Sequence, residues 1–375
     1  MSVGVFSAPH RLWSMVRPVL TESDQDLSAE PPNTHPSTDG DLGISTVLEC
    51  GSVVMACQFN SEGTLLAVGL INGTIQVYKV GDASPVYTLR DSLSVQSALP
   101  VTALRFTHSS SHCLLLATYA SGVVRSWYVS GGQCLWLVKE EGWGEDESPR
   151  RQTLSLSLSP SSERVVTAGT DCRLHLYDLQ THQRVQTCTA SSAMSVMDGH
   201  LSRVFAVTFH PEKETEFISG GWDNTVQFWD SRLPHAVRML SGPHVCGEAL
   251  QIDPSGNQIL SGSWRKESAL EIWDYGSGGK IADIPEDPRG KSRIYSCHWL
   301  GPDHIMAGGS QSNMLRVIDR RTLLSVSRLV GLPSAVFSCC VCPVGERAGL
   351  IAASSGSRVF LLEGKPLTGI RPESS

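Results

Sequence analysis

The chain has 375 residues, of which 41% are hydrophobic and 18% are charged, and its net charge of −7 corresponds to an isoelectric point near 5.9. This composition allows a large buried core and excludes a chain that is disordered throughout, while the acidic balance argues against a nucleic-acid binder. No run of about 18 apolar residues occurs, so we expect no membrane span.

The N-terminal residues carry no secretory signal, because Pro9, Arg11 and Arg17 interrupt every apolar stretch. The eleven cysteines are therefore expected to be reduced thiols. This pattern indicates a cytoplasmic or nuclear protein.

Residues 1–43 are predicted to form a leader outside the folded core. Residues 21–43 are rich in Pro, Ser, Thr and Asp, which is typical of disorder. Residues 1–20 lack acidic residues and carry apolar residues at helical spacing. Three interpretations stay open for them: a helix that docks on a partner, a mitochondrial presequence, or a tail without structure.

One short string, apolar–x–apolar–aromatic–acidic, recurs along the chain. Its clearest copies are Leu174–Asp178, Val226–Asp230 and Leu270–Asp274. Weaker copies end at Tyr78, Trp127, Ile318 and Leu362. The seven copies follow one another at steps of 44 to 52 residues, which matches the period of a propeller blade.

Each repeat contains strands with period-2 alternation, named a to d in chain order. Strand a ends in an apolar residue in every repeat, and these residues are Phe59, Phe106, Leu158, Phe209, Ile252, Trp299 and Val341. A proline follows four of these ends and stops the strand. The sequence therefore predicts an all-β fold, a single seven-bladed β-propeller of four-stranded blades.

The seventh repeat ends at Glu363 and has no strand d of its own. The segment Ile44–Glu49 is an additional predicted strand, and its exchange into the last blade would close the ring without an open edge. We therefore expect the propeller to cover residues 44–363, with a flexible tail at residues 364–375.

The fourth repeat carries the clearest local motif. Gly199-His200 precedes strand a, Ser219–Asn224 spans the b–c turn, and Trp229-Asp230 closes strand c. These residues resemble the signature of the WD-repeat (WD40) family. The resemblance implies a hydrogen-bonded structural tetrad of His200, Ser219, Asp223 and Trp229, and a non-catalytic function in binding other proteins.

The other repeats match this signature less well. The third keeps Thr167, Asp171 and Tyr177, and the fifth keeps Ser261 and Trp273. The first, second, sixth and seventh keep little of it, which puts the rigidity of those blades in doubt.

A hydrolase is the alternative from another class, because a His–Ser–Asp relay also occurs in catalytic triads. It requires His200 and Asp223 to face an open pocket. The glycine-rich Gly276–Lys280 lacks the spacing of a phosphate-binding loop. In the cysteine-rich Cys339–Cys342, adjacent strand residues point to opposite faces, so these cysteines are expected to be small core residues. We therefore predict no enzyme, no cofactor and no metal site.

The d–a and b–c loops of a propeller share one face, here called the top face. Trp222 and Trp264 take equivalent b–c positions in blades four and five, and arginines take equivalent positions before strand a in blades four and six. The residues predicted to bind a partner are Arg203, Trp222, Trp264, Arg265, Lys266 and Arg293. Tryptophan and arginine are typical of binding hot spots, so we expect an acidic or phosphorylated peptide segment of a partner within a larger complex. The alternative is that each tryptophan merely shields its own blade.

The segment Glu140–Glu147 is acidic and includes Trp143. Three interpretations stay open: a solvated insertion, a docking site for a basic partner, or a loop that covers the arginines of the top face.

Trp229–Arg232 matches the WDxR box of substrate receptors for cullin-4 ubiquitin ligases, and Asp319–Arg321 repeats its Asp-x-Arg core. In that family the arginine contacts the ligase adaptor, so Arg232 and Arg321 are candidate adaptor contacts. Blade five lacks the arginine, and an Asp-x-Arg arginine in a propeller also pairs with nearby acids.

Overall fold

Short apolar runs form the strands of this chain, and tight turns separate them. The computed structural model describes residues 35–107, 113–140, 151–193 and 195–364, and its strands lie in the unit Pro36–Ser375. The strands of the first three repeats, with the two that precede them, are β1 (Ser37–Asp39), β2 (Leu42–Glu49), β3 (Val54–Phe59), β4 (Leu65–Leu70), β5 (Ile75–Lys79), β6 (Pro85–Leu89), β7 (Val101–Phe106), β8 (Leu114–Tyr119), β9 (Val123–Tyr128), β10 (Gln133–Lys139), β11 (Thr153–Leu158), β12 (Arg164–Gly169), β13 (Leu174–Asp178) and β14 (Arg184–Cys188).

The strands of the last four repeats are β15 (Val204–Phe209), β16 (Glu216–Gly221), β17 (Thr225–Asp230), β18 (Arg238–Ser241), β19 (Leu250–Ile252), β20 (Gln258–Gly262), β21 (Leu270–Asp274), β22 (Lys280–Asp283), β23 (Ser292–Leu300), β24 (His304–Gln311), β25 (Leu315–Asp319), β26 (Ser325–Val330), β27 (Cys339–Val341), β28 (Ile351–Ser355) and β29 (Arg358–Gly364). A short helix, α1 (Ser92–Ser97), lies between β6 and β7. None of the helical residues described is part of a stretch long and apolar enough to cross a bilayer.

The strands form seven antiparallel sheets, one for each repeat. Blades one to six are β3–β6, β7–β10, β11–β14, β15–β18, β19–β22 and β23–β26, and blade seven is β27–β29 with β2. The prediction of a seven-bladed β-propeller is confirmed.

Burial explains why strand a is apolar on both faces. In β15 four of six side chains are buried, and only Phe205 and Thr208 are partly exposed. Sheets of neighbouring blades pack face to face, so each inner strand meets apolar partners on both sides. Trp127 and Trp229, each 1% exposed, pack against residues of the preceding blade. Truncating a buried tryptophan of this kind to alanine typically costs about 3–5 kcal/mol.

The ring closes by exchange of an N-terminal strand, as predicted. Strand β2 pairs with β29 in antiparallel register, with Leu42 opposite Gly364 and Glu49 opposite Arg358. The last pair is also an ion pair, with 2.8 Å between Arg358 Nε and Glu49 Oε1. Blade seven thereby gains the strand d that its own repeat lacks.

A further strand, β1, adds to the outer edge of blade six beside β26. The Asp39 carboxylate lies 2.8 Å from the Arg289 guanidinium and 3.4 Å from that of Arg328. The next residue is glycine for two reasons: Gly40 lies in the left-handed region, at φ 68°, and a side chain there would collide with the Val326 carbonyl oxygen. Sheet structure thus begins earlier than the predicted start at Ile44, since the free edge of β26 offers backbone partners.

The predictions for residues 1–34, for most of the acidic loop (residues 141–150) and for the tail from residue 365 lie outside the described residues. Glu140, predicted as the first residue of that acidic loop, is instead buried in blade three at 5% exposure.

Glu140 is the centre of a polar network in blade three. Its carboxylate accepts hydrogen bonds from Arg151 Nε (3.0 Å) and from the hydroxyls of Thr153, Thr167 and Tyr177 (2.5, 2.5 and 2.8 Å). His175 Nδ1 lies 3.1 Å away, and Arg151 also pairs with Asp171. Burial alone would raise the pKa of Glu140, but Arg151 and the surrounding donors hold that pKa well below its usual range. This network therefore replaces the tetrad that the third repeat has partly lost.

Blades two and six hold their d–a loops by buried arginines at the corresponding position of strand c. Arg125 reaches Asp91, the N-cap residue of α1, at 3.0 Å. Arg316 donates to the Pro285 carbonyl oxygen at 2.7 Å. Each occupies the place that His175 has in blade three, two residues before the strand-c anchor. In both blades a buried arginine thus holds the loop that precedes strand a.

Candidate interaction surface

The four residues implied by the WD signature come together in blade four. His200 Nδ1 donates to Asp223 Oδ2 at 2.8 Å, and its Nε2 lies 2.7 Å from Ser219 Oγ. Trp229 Nε1 donates to the same hydroxyl oxygen at 2.8 Å. Burial alone would raise the pKa of Asp223, but the hydrogen bond from His200 lowers it. The chain of bonds ties the loop before strand a to strands b and c.

This arrangement removes the best candidate for a hydrolase. Ser219 and His200 are 0% and 2% exposed, so no substrate reaches the hydroxyl. Both ring nitrogens of His200 are engaged within the blade, and the Ser219 oxygen also accepts from Trp229. In the ranges that the structure covers, no group of three or more His, Cys, Asp or Glu residues is arranged to hold a metal ion.

Trp222 lies on the top face between strands b and c of blade four. Its ring stacks on Phe205, with 5.3 Å between centroids, and on His244 of the next loop at 6.1 Å. The Arg203 guanidinium lies 5.1 Å from the indole centroid. Trp222 Nε1 donates to Cys246 Sγ at 2.9 Å, so the indole is fixed by a bond that is internal to the protein.

Trp264 has an equivalent environment one blade further on. Its Nε1 donates to the Tyr295 hydroxyl at 3.0 Å, and Tyr295 in turn packs against Phe337 at 5.1 Å between ring centroids. The Arg293 guanidinium carbon lies 4.0 Å from the Trp264 ring centroid. Both predicted tryptophans are thus half-buried, held by their indole N–H groups and in contact with an arginine.

The two stacked arginines differ from the other predicted cations. The side chains of Arg203 and Arg293 contact the indole rings of Trp222 and Trp264. Within the described ranges they form no hydrogen bond and no ion pair. Arg265, in contrast, is occupied by Glu271 at 2.8 Å and by the carbonyl oxygens of Gly242 and Ser268. We name Arg203, Trp222, Trp264 and Arg293 the Trp–Arg surface. Lys266 is exposed at its margin.

Six residues of this region are absent from the sequence prediction: Leu201, Phe205, His244, Cys246, Tyr295 and Phe337. Phe205 and Tyr295 follow Arg203 and Arg293 by two positions, so the alternation of strand a was a signal for both. Leu201 is 68% exposed, while its backbone N–H is held by Asp223 at 3.0 Å. Only its high exposure reveals it, and exposure cannot be derived from a single apolar residue in a loop.

An ion pair crosses the central channel below this surface. Arg105 of β7 and Glu248, just before β19, lie 3.0 Å apart. They belong to blades two and five, which are not neighbours, so their side chains meet across the channel. His298 of blade six is nearby; burial and the Arg105 charge lower its pKa to about 4, so it is neutral at physiological pH.

The candidate ligase contacts lie on the opposite face, in the turns after strand c. The Arg232 side chain is 71% exposed and folds back onto Asp230 in its own turn, with 2.5 Å between Nη2 and Oδ2. The Arg321 side chain is 87% exposed and lies 3.9 Å from Asp303. Blade five separates the two arginines, so they form two separate positions on this face.

Comparisons with known proteins agree with this architecture. Residues 191–230 match the family described as WD domain, G-beta repeat. The chain is 24% identical over 209 residues to the U3 snoRNP-associated protein-like EMB2271 of Arabidopsis thaliana. The aligned region covers 52% of this chain and 39% of that protein. It is 24% identical over 180 residues to Pre-mRNA-processing factor 19 of Mus musculus, covering 48% and 33% of the two chains.

A third relative is Coronin-7 of Bos taurus, with 27% identity over 211 residues, 53% of this chain and 22% of that protein. The matched part is well under two thirds of the length of each of these relatives. The repeat match, these relatives and the seven four-stranded sheets together support a WD-repeat protein with a β-propeller fold.

Proposed function

We propose that this protein is a non-catalytic interaction scaffold that holds a segment of a partner protein on the Trp–Arg surface. The observation that carries the proposal is the pair of half-buried tryptophans, each in contact with an arginine that has no acidic partner within the described ranges. Guanidinium groups bind carboxylates and phosphates strongly, and these two leave their charge available to a ligand.

The composition of the surface determines the kind of segment that it accepts. The indole rings supply rigid apolar area at low entropic cost, and exposed Leu201 extends that area on blade four. The guanidinium groups select oxyanions, so the partner segment is acidic or phosphorylated, with at least one apolar side chain. A net charge of −7 disfavours nucleic acid as the direct ligand.

The names of several relatives support membership in a nuclear complex. They include a U3 snoRNP-associated protein, a pre-mRNA-processing factor and the Ribosome biogenesis protein YTM1 of Laccaria bicolor. We extend this setting to the present chain as part of the proposal: it acts as one subunit of such an assembly, in the nucleus.

Proximity labelling in cells tests the scaffold function. Replacing Trp222 and Trp264 together with alanine removes the apolar part of the surface, and we expect a defined subset of the labelled proteins to be lost. A matched control replaces Arg232 and Arg321 with alanine on the opposite face. An unchanged set of labelled proteins in the tryptophan variant, with the variant folded, would show that partners bind elsewhere.

The control variant also addresses the second candidate function, a cullin-4 substrate receptor. The exposed Arg232 side chain is the observation that favours it. Recovery of a cullin-4 adaptor with the wild-type protein, and its loss with Arg232→Ala alone, would support this role. Failure to recover the adaptor with the wild-type protein would exclude it.

A further inference from the structure

We propose that Arg293 forms an oxyanion-binding pocket between blades five and six, which receives the carboxylate or phosphoryl group of the partner segment. The inference rests on the proposed function and deepens it, because it assigns the anionic group of the ligand to one residue. The chemistry common to both ligand types is a pair of oxygens presented to a guanidinium edge.

Arg293 is buried without a counter-charge. The residue is only 9% exposed, its Nε has no hydrogen-bond partner, and no ion pair reaches the guanidinium within the described ranges. A buried cation of this kind is unfavourable until an anion joins it. Because the guanidinium packs on the Trp264 ring at 4.0 Å, that contact occupies its face and leaves its N–H edges for a ligand.

The groups around Arg293 do not neutralise it. The Tyr295 hydroxyl accepts a hydrogen bond from Trp264 Nε1 and also bonds with the Ser310 side chain, and burial raises the pKa of Tyr295, so the phenol stays protonated and neutral. Burial also raises the pKa of the Cys246 thiol to about 12, which keeps it uncharged. The pocket therefore combines donors with neutral groups, and this combination selects for an anion.

Arg203, the equivalent residue of blade four, lacks this environment. It is half-buried rather than buried, and its guanidinium lies further from its indole, at 5.1 Å. Solvent screens such a charge, so Arg203 contributes to attraction at long range more than to a defined site. The pair thus offers a matched comparison within one protein.

Nitrogen-15 NMR of the tryptophan indoles in the full chain tests the pocket. The Trp264 indole signal, assigned by its loss in Trp264→Phe, is followed while sodium phosphate or sodium acetate replaces chloride at constant ionic strength. We expect a saturable shift of this signal with at least one of the two anions. Arg293→Lys keeps the positive charge but loses the two parallel N–H donors of the guanidinium group, so it should raise the anion concentration at half-saturation about tenfold. Arg203→Lys should leave this concentration within about twofold of the wild-type value.

The comparison of the two anions identifies the source of the group. Tighter binding of phosphate indicates a phosphorylated residue, and tighter binding of acetate indicates an aspartate or glutamate. A Trp264 shift that is not saturable with either anion, or an equal midpoint in Arg293→Lys, would overturn the pocket. Tyr295→Phe, which leaves Arg293 in place, provides a second variant and should weaken the midpoint more modestly.

Failure of this inference and failure of the proposed function give different results. If phosphate and acetate leave the Trp264 signal unchanged while the tryptophan double variant loses its labelled partners, only the pocket is wrong. If the anion shift occurs but the labelled partners are unchanged in that variant, the scaffold function on this face is wrong and the pocket stands.

Discussion

Substitution of Glu140 with glutamine should destabilise the protein strongly, although the two side chains have nearly the same shape. The carboxylate receives four hydrogen bonds and lies next to His175. Glutamine removes the negative charge and turns an amino group toward some of these donors. Among the described residues, Arg151, whose side chain is fully buried, then keeps Asp171 as its one acidic partner.

Removing one partner of a buried ion pair typically costs about 3–5 kcal/mol, and we expect a loss in that range. This is a large fraction of the total stability of a folded protein, which is about 5–15 kcal/mol. Equilibrium unfolding in urea measures the loss, with Glu163→Gln on the exposed a–b turn of the same blade as control. The control should change stability by less than about 0.5 kcal/mol.

The pH dependence gives an independent check with a defined sign. The pKa of Glu140 is lowered in the folded state, so its contribution is fully present above its unfolded pKa of about 4.3 and is lost as the pH falls further. The difference in unfolding free energy between wild type and Glu140→Gln should therefore shrink below about pH 4. A loss under about 1 kcal/mol at neutral pH, or a difference independent of pH, would refute this account of blade three.

Two further substitutions test the fold. Gly63→Ala should destabilise the protein by more than Gly51→Ala. Both glycines have φ near 68°, but only at Gly63 would the added Cβ collide with the Val344 carbonyl oxygen. Thermal unfolding of both variants measures the difference. Equal losses would contradict the collision. Trp229→Phe should lower the free energy of unfolding by about 1–3 kcal/mol, because it leaves the Ser219 hydroxyl without its indole donor. Urea unfolding measures this loss, and an unchanged free energy would show that the tetrad contributes little to stability.

The blade count, the ring closure and the tetrad geometry could be anticipated because each depends on local patterns. Alternation and a fixed period determine the blades, and a missing strand in the last repeat pointed to the strand at Ile44–Glu49. The WD signature of blade four specified four residues whose bonds lie within a single blade. The blades and the tetrad need no knowledge of how distant parts of the chain approach one another, and the closing strand was inferred because the last repeat lacks one.

Long-range pairing limited the rest. Glu140 looked like one of several solvated acids, and its burial follows only from the approach of Arg151 across an intervening loop. Arg265 was predicted as a cation available to a partner, but it forms an ion pair with Glu271 of the adjacent strand. The Arg105–Glu248 ion pair joins opposite sides of the ring, so no local sequence motif predicts it. Charge pairing of this kind depends on the closed three-dimensional arrangement.

The pairing of β2 with β29 has a consequence for how the protein is made. On the ribosome, β2 is synthesised about 300 residues before its partner strand. At roughly 5–20 residues per second, the wait for β29 lasts roughly 15–60 s. During that interval β2 has no edge to pair with, and blades one to six must assemble around an unfinished gap. The final step is therefore the pairing of β2 with β29, and a nascent chain stalled before β29 would expose both edges of the opening to other proteins.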